Sequence, residues 1–190
     1  MNILIISKLI TPESGVGGRR WNKIGKIIAD HGHQITFITS NFSFEINERL
    51  RNHPNCSIIS IPTFLLKLDR NSLVGRLIFY LSKKAAKIFG FIDFYEPWSH
   101  KISKIVKKEL GNKNYDVVIT SGHPCSLNYH VSKVQCNFKF VRFIHDFRDL
   151  WNSEVNYSLK NGGIGKIGKK RSLIAQDKVL DRADRVYAVS

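Results

Sequence analysis

The chain has 190 residues, 43% hydrophobic and 24% charged, which is one domain's worth of ordinary globular sequence and excludes a disordered chain. Thirty Lys and Arg against fifteen Asp and Glu leave a formal net charge of +15, which points to an anionic partner: nucleic acid, a phosphorylated substrate or an acidic membrane surface. No apolar run approaches the ~20 residues of a membrane span, the opening does not read as a secretory signal, and Cys56, Cys125 and Cys136 are too scattered for a disulfide framework or a metal knuckle, so they read as reduced thiols of a cytosolic protein.

The predicted elements alternate between strand and helix. Asn2–Ser7 is a continuous apolar run, the pattern of a strand buried on both faces. Thr11–Gly18 carries a proline and three glycines and reads as a loop. From Arg19 the period changes: Trp21, Ile24, Ile27 and Ile28 fall at helical spacing, until Gly32 stops the helix. Gln34–Ser40 is a second strand, so the first forty residues form a βαβ unit, which requires parallel strands.

The same alternation predicts strands at Ser57–Ile61, Asp116–Ser121, Lys139–Ile144 and Arg185–Val189. Helices are expected over Asn71–Gly90, Trp98–Leu110, Pro124–Val134 and Lys169–Ala183, with His145–Gly168 mostly loop. The expected fold is α/β: one doubly wound, mainly parallel sheet in the order 3-2-1-4-5-6, with Leu4, Ile6, Ile38, Val118 and Val141 in the core.

The charge is concentrated. Lys67–Leu110 holds ten basic against four acidic residues, and Lys160–Lys178 holds six against one. The first segment, with the residues just before it, interleaves its bases with Phe64, Leu65, Phe79, Tyr80, Phe89, Phe91, Phe94, Tyr95 and Trp98. That pattern suits the surface of an anionic membrane, or single-stranded nucleic acid; equally it describes a core face backed by a solvated one. With no RNP motif, zinc finger or helix-turn-helix pattern, nucleic acid ranks last.

Three constellations carry candidate chemistry. The glycine loop ending in Gly17, Gly18, Arg19 and Arg20 leads into a helix, where free backbone N–H groups and the positive dipole end suit a phosphate or carboxylate. It is neither a dinucleotide fingerprint nor a P-loop, and glycine there also serves backbone geometry alone. Ser121 and His123 stand at the carboxyl end of the fourth strand, where open α/β sheets gather ligands. His145, Asp146, Arg148, Asp149 and Trp151 crowd the end of the fifth strand, either as an orienting or proton-accepting cluster or as a structural ion pair. No zinc-ligand spacing appears, so no metal site is expected.

These residues resemble a family. The opening ILIISKLITPESGVGGRRW resembles the first strand and acceptor loop of family-four retaining glycosyltransferases. GHQITFITS is similar to their second strand, and YDVVITSGHP to a stretch in which His123 replaces a usual proline. FIHDFRDLW resembles the Asp-x-Arg-Asp-x-Trp stretch of members that build surface polysaccharides, and DRADRVYAVS the segment that closes the family's N-terminal domain. Five loose motifs in order cover essentially the whole chain.

The resemblance implies a GT-B enzyme with two Rossmann-like domains facing across a cleft. Residues 1–190 would be the N-terminal, acceptor-side domain, with a C-terminal donor-binding domain absent. The expected reaction moves a sugar from a nucleotide-sugar donor to a lipid-linked or saccharide acceptor in cell-surface polysaccharide synthesis. No cofactor is implied. Gly17, Gly18, Arg19, Arg20, Ser121, His123, Asp146 and Trp151 would bind substrate or phosphate, and His145, Arg148 and Asp149 would be catalytic. Two registers stay open for the family's functional His-Asp: His145-Asp146, or Arg148-Asp149 aligned through Asp-Leu-Trp. The expected partners are the donor, the acceptor and an anionic membrane surface, without nucleic acid, and the expected location is the cytoplasm, peripheral on the membrane's cytoplasmic face. The alternatives are a non-catalytic membrane-surface or partner module of a split enzyme, or a basic nucleic-acid-binding protein.

Overall fold

A computed structural model describes residues 1–11, 16–41, 46, 48–63, 71–147 and 165–188. Six strands form one all-parallel sheet: β1 (Asn2–Ile6), β2 (Gln34–Thr39), β3 (Cys56–Ser60), β4 (Val117–Ser121), β5 (Arg142–Phe147) and β6 (Arg185–Ala188). Their order is β3-β2-β1-β4-β5-β6, as the alternation predicts. The described helices are α1 (Val16–Asp30), α2 (Glu48–Arg51), α3 (Leu73–Ile88), α4 (Glu96–Asn112), α5 (Cys125–Gln135) and α6 (Lys166–Arg182).

Strand alternation divides the core. Ile3, Ile5, Ile35 and Phe37 point to one face and pack against Trp21 and Ala29 of α1. Leu4, Ile6, Val118 and Phe143 point to the other, against Ile102 and Val106 of α4 and Leu127 and Val131 of α5. A smaller cluster of Ile92, Phe147, Ala175 and Val179 seats α6. Leu4, Ile6, Ile38 and Val118 are fully buried, while Val141 is only partly buried because it lies in the turn before β5.

Several elements differ from expectation, three of them by more than a shifted helix end. Strand β5 begins three residues later than expected and continues through His145, Asp146 and Phe147, which pair with Val186, Tyr187 and Ala188 of β6. Two flanking strands satisfy this backbone, so ladder pairing overrides the polar side chains that suggested a loop. Helix α1 starts at Val16, which places Gly17 and Gly18 in its first turn rather than in the loop. The short α2 falls between the second and third strands, where no helix was expected.

Candidate functional site

The sheet's winding reverses between β1 and β4, since α1 and β2 lie to one side of β1 while β4 lies to the other. The crevice at the carboxyl ends of these two strands is the topological switch point, where α/β sheets bind ligands. Gly17 and Gly18 are buried in the first turn of α1 at this rim. The first N–H groups of a helix have no intrahelical acceptor.

Arg20, one turn further on, reaches across the sheet. Its Nη2 donates to Oδ2 of Asp146 on β5. Ser121 Oγ, at the end of β4, donates to the same oxygen at 2.9 Å. The Gly122 N–H donates to the Asp146 carbonyl at 2.7 Å, which locks the two strand ends together. Asp146 is 4% exposed, so its charge is compensated by Arg20 and Ser121 rather than by bulk water. His123 sits exposed on the turn that follows, with φ at 43°, a left-handed conformation uncommon outside glycine. Arg19 is exposed on α1.

His145 is separated from this group. Successive residues of a strand face opposite ways: Asp146 points toward α1, and His145 shares the α5-side face with Phe143 and Phe147. His145 is fully buried, and its Nδ1 shares a 2.6 Å hydrogen bond with Thr120 Oγ1. Its Nε2 has no hydrogen-bond partner among the described residues. Burial pushes its pKa down to about 4, so the ring is neutral at physiological pH. The catalytic role expected of His145 at the rim therefore meets a strand geometry that turns the ring away from it. Arg148, Asp149 and Trp151 lie outside the described residues.

Two neighbouring groups escaped the sequence reading. Lys8, just past β1, holds its Nζ 4.0 Å from the centroid of the Tyr95 ring, in the turn before α4. Beside it, Asp93 accepts from the Ser126 N–H and Ser126 Oγ, each at 2.8 Å, and so occupies the N-terminus of α5. Burial pushes the Asp93 carboxyl up in pKa despite these donors and the Tyr95 N–H.

Glu96 is the centre of a clamp between helices. It accepts from the Ile92 N–H at 2.6 Å and from Arg171 of α6 at 2.9 Å, and contacts His130 Nε2 of α5 at 3.2 Å. Burial works to raise its pKa, but His130, the Ile92 N–H and Arg171 together hold it below the ordinary value. Nothing in local spacing signals this clamp: Arg171 stands 75 positions away. Among the described residues no three His, Cys, Asp or Glu side chains gather as a metal ion would require. A hollow of about 550 Å³ lined by Tyr115, Phe138 and Phe140 lies at the opposite, amino-terminal rim of the sheet, away from these groups.

No family model matches the chain, and no curated protein matches it. Among solved structures, the crystal structure of O-ureido-L-serine synthase aligns over 100% of this chain and 57% of its own length, at 9% identity and a TM-score of 0.31. The chain thus spans little more than half of that protein, and a likeness of this size carries no argument about function.

Proposed function

We propose that this chain is the acceptor-side half of a retaining glycosyltransferase that moves a sugar from a nucleotide-sugar to a lipid-linked or saccharide acceptor in cell-surface polysaccharide synthesis. The observation that carries this reading is the Arg20–Asp146–Ser121 cluster beside the glycine-opened first turn of α1. It joins three of the segments whose sequence resembles that family, at the rim where such a sheet binds ligands.

In the reaction the acceptor hydroxyl oxygen bonds to the anomeric carbon. The carbon–oxygen bond to the diphosphate breaks, and its electron pair leaves with the nucleoside diphosphate. The first-turn N–H groups at Gly17 and Gly18, with Arg19 nearby, supply fixed positive potential for the charge developing on the leaving phosphate. Asp146, Ser121 and His123 position the acceptor. The hydroxyl proton passes to Asp149 or to the leaving diphosphate. The donor rests chiefly on a second Rossmann-like domain in this reading, so the 190 residues alone lack one wall of the cleft and transfer no sugar at an appreciable rate.

The test is transfer from labelled nucleotide-sugars to membrane-derived lipid-linked acceptors, by the chain alone and joined to a matching donor-binding half. Transfer with retained configuration by the joined protein only, cut about ten-fold or more by Asp149→Ala at unchanged melting temperature, supports the reading. Robust transfer by the 190 residues alone, or none from any nucleotide-sugar by the joined protein, contradicts it.

A further inference from the structure

Within the basic and aromatic stretch between Phe64 and Leu110, the described residues 71–110 present two different surfaces. The apolar side of α4 is core: Trp98, Ile102, Val106 and Leu110 are buried, and Trp98 Nε1 donates to the Ile61 carbonyl at 2.7 Å. The apolar side of α3 is not. Leu73, Val74, Leu77, Leu81 and Ile88 are 78%, 66%, 58%, 53% and 74% exposed. At 100° per residue these five fall within one arc of about 100°. The small residues Gly75 and Ala86 are what α3 buries against the body.

One edge of that exposed arc is basic. Arg76, Lys83 and Lys87 flank it, Lys84 stands within it beside Leu73 and Leu77 on the helical wheel, and the helix LVGRLIFYLSKKAAKI contains no acidic residue. The Lys84 Nζ lies 4.9 Å from the centroid of the Tyr80 ring, so an amphipathic aromatic marks the boundary between the apolar arc and the cations. At the far end of the helix, the exposed Phe89 and the exposed Ile167 of α6 extend the apolar surface around Gly90, and Lys166, Lys169 and Lys170 continue the cations.

We infer that α3 is an interfacial helix that docks the protein on an anionic lipid bilayer, with the Leu73–Leu77–Leu81–Ile88 face among the acyl chains and the lysines at the headgroups. Charge decides between the possible occupants. A second copy of the chain would set one cationic helix against another. A nucleic acid would satisfy the cations but leave five aliphatic side chains in water. A bilayer carrying acidic lipid takes both. No helix among the described residues is long and apolar enough to cross a membrane, so the contact is lateral. This inference and the glycosyltransferase reading stand on different observations.

The experiment measures binding of the full chain to phosphatidylcholine vesicles with and without phosphatidylglycerol, by sedimentation and by Tyr and Trp fluorescence. Binding to the anionic vesicles only, weakening with salt, is expected. Leu77→Ser with Leu81→Ser should reduce it about ten-fold or more, with an unchanged circular dichroism spectrum because both side chains are more than half exposed. Replacing Lys83, Lys84 and Lys87 with Gln should reduce it roughly a hundred-fold, since each cation near an anionic leaflet contributes about five-fold. Phe140→Ser, which removes a still more exposed apolar residue at the amino-terminal rim, should change nothing. Equal binding to both vesicles, no binding to either, or unaltered binding by the Leu77/Leu81 variant overturns the inference. A vesicle-free dimer that the Leu77/Leu81 variant dissociates also overturns it, in favour of a second copy.

Discussion

His145 offers a direct test of how burial acts in this sheet. The ring is fully buried on β5 with one hydrogen bond, to Thr120, and its pKa falls from 6.5 to about 4. The unfolded chain, with an ordinary histidine, therefore binds more protons than the folded chain between pH 6.5 and 4. Stability falls as pH falls through this window and stops responding to His145 below about pH 4. Each tenfold difference in proton affinity is worth about 1.4 kcal/mol, so the loss from pH 7 to pH 4 comes to about 3 kcal/mol. That is a large fraction of a domain's net stability. The assay is urea unfolding at several pH values, comparing the parent with His145→Gln, whose amide does not titrate there and can still pair with Thr120. Carboxylates held below their ordinary pKa, Glu96 and Asp30, lose stability in acid in both proteins and cancel in the difference. The parent should lose about 3 kcal/mol more than the variant over the window. Parallel curves would contradict this, because they require a ring that protonates as easily in the fold as outside it.

Further outcomes follow from individual contacts. Arg20→Ala leaves the Asp146 carboxylate with Ser121 as its side-chain partner among the described residues, and should cost about 2 kcal/mol in urea unfolding, below the usual cost of breaking a buried pair because the Arg20 side chain is 28% exposed. A cycle with Asp146→Asn should return a favourable coupling of about 1 kcal/mol. Gly25→Ala should destabilise by about 1–2 kcal/mol despite better helix propensity, because the new Cβ would stand 2.4 Å from Cζ of the fully buried Phe37 ring; a rise in melting temperature contradicts this. Glu96→Ala strips acceptors from the Ile92 N–H, His130 and Arg171 and should cost about 3 kcal/mol, with faster amide exchange in α6 before the central strands.

The strands were legible because parallel strands buried on both faces read as runs rich in apolar and β-branched residues without strict alternation, as NILII and QITFIT do. Turn chemistry also held: Gly32 ends α1 at φ 81°, a conformation glycine adopts without strain. The end of β5 was less legible, because His145 and Asp146 look like loop residues until β6 supplies a second pairing edge. The opposite orientation of these two side chains follows from strand period alone, once the strand is known to include them. The Arg20–Asp146 contact spans 126 positions and the Glu96–Arg171 contact 75, distances over which no local pattern reports pairing. The basic and aromatic stretch that holds α3 read as either membrane surface or core, because amphipathic spacing looks the same whether the apolar arc meets protein or lipid.

Substrates are expected to meet this chain at the carboxyl rim of β1, β4 and β5. Amide chemical shifts of the isotopically labelled chain, titrated with pyrophosphate, nucleotide-sugars and a saccharide acceptor, test it most directly. The diphosphates should move the amides of Gly17, Gly18 and Arg19, the acceptor should move those of Gly122 and His123, and Asp146→Asn should weaken the second set. Shifts confined to the opposite rim, at Tyr115, Asn137 and Phe138, or no saturable shift at the Gly17–Gly18 turn with any of the three ligands, would contradict it.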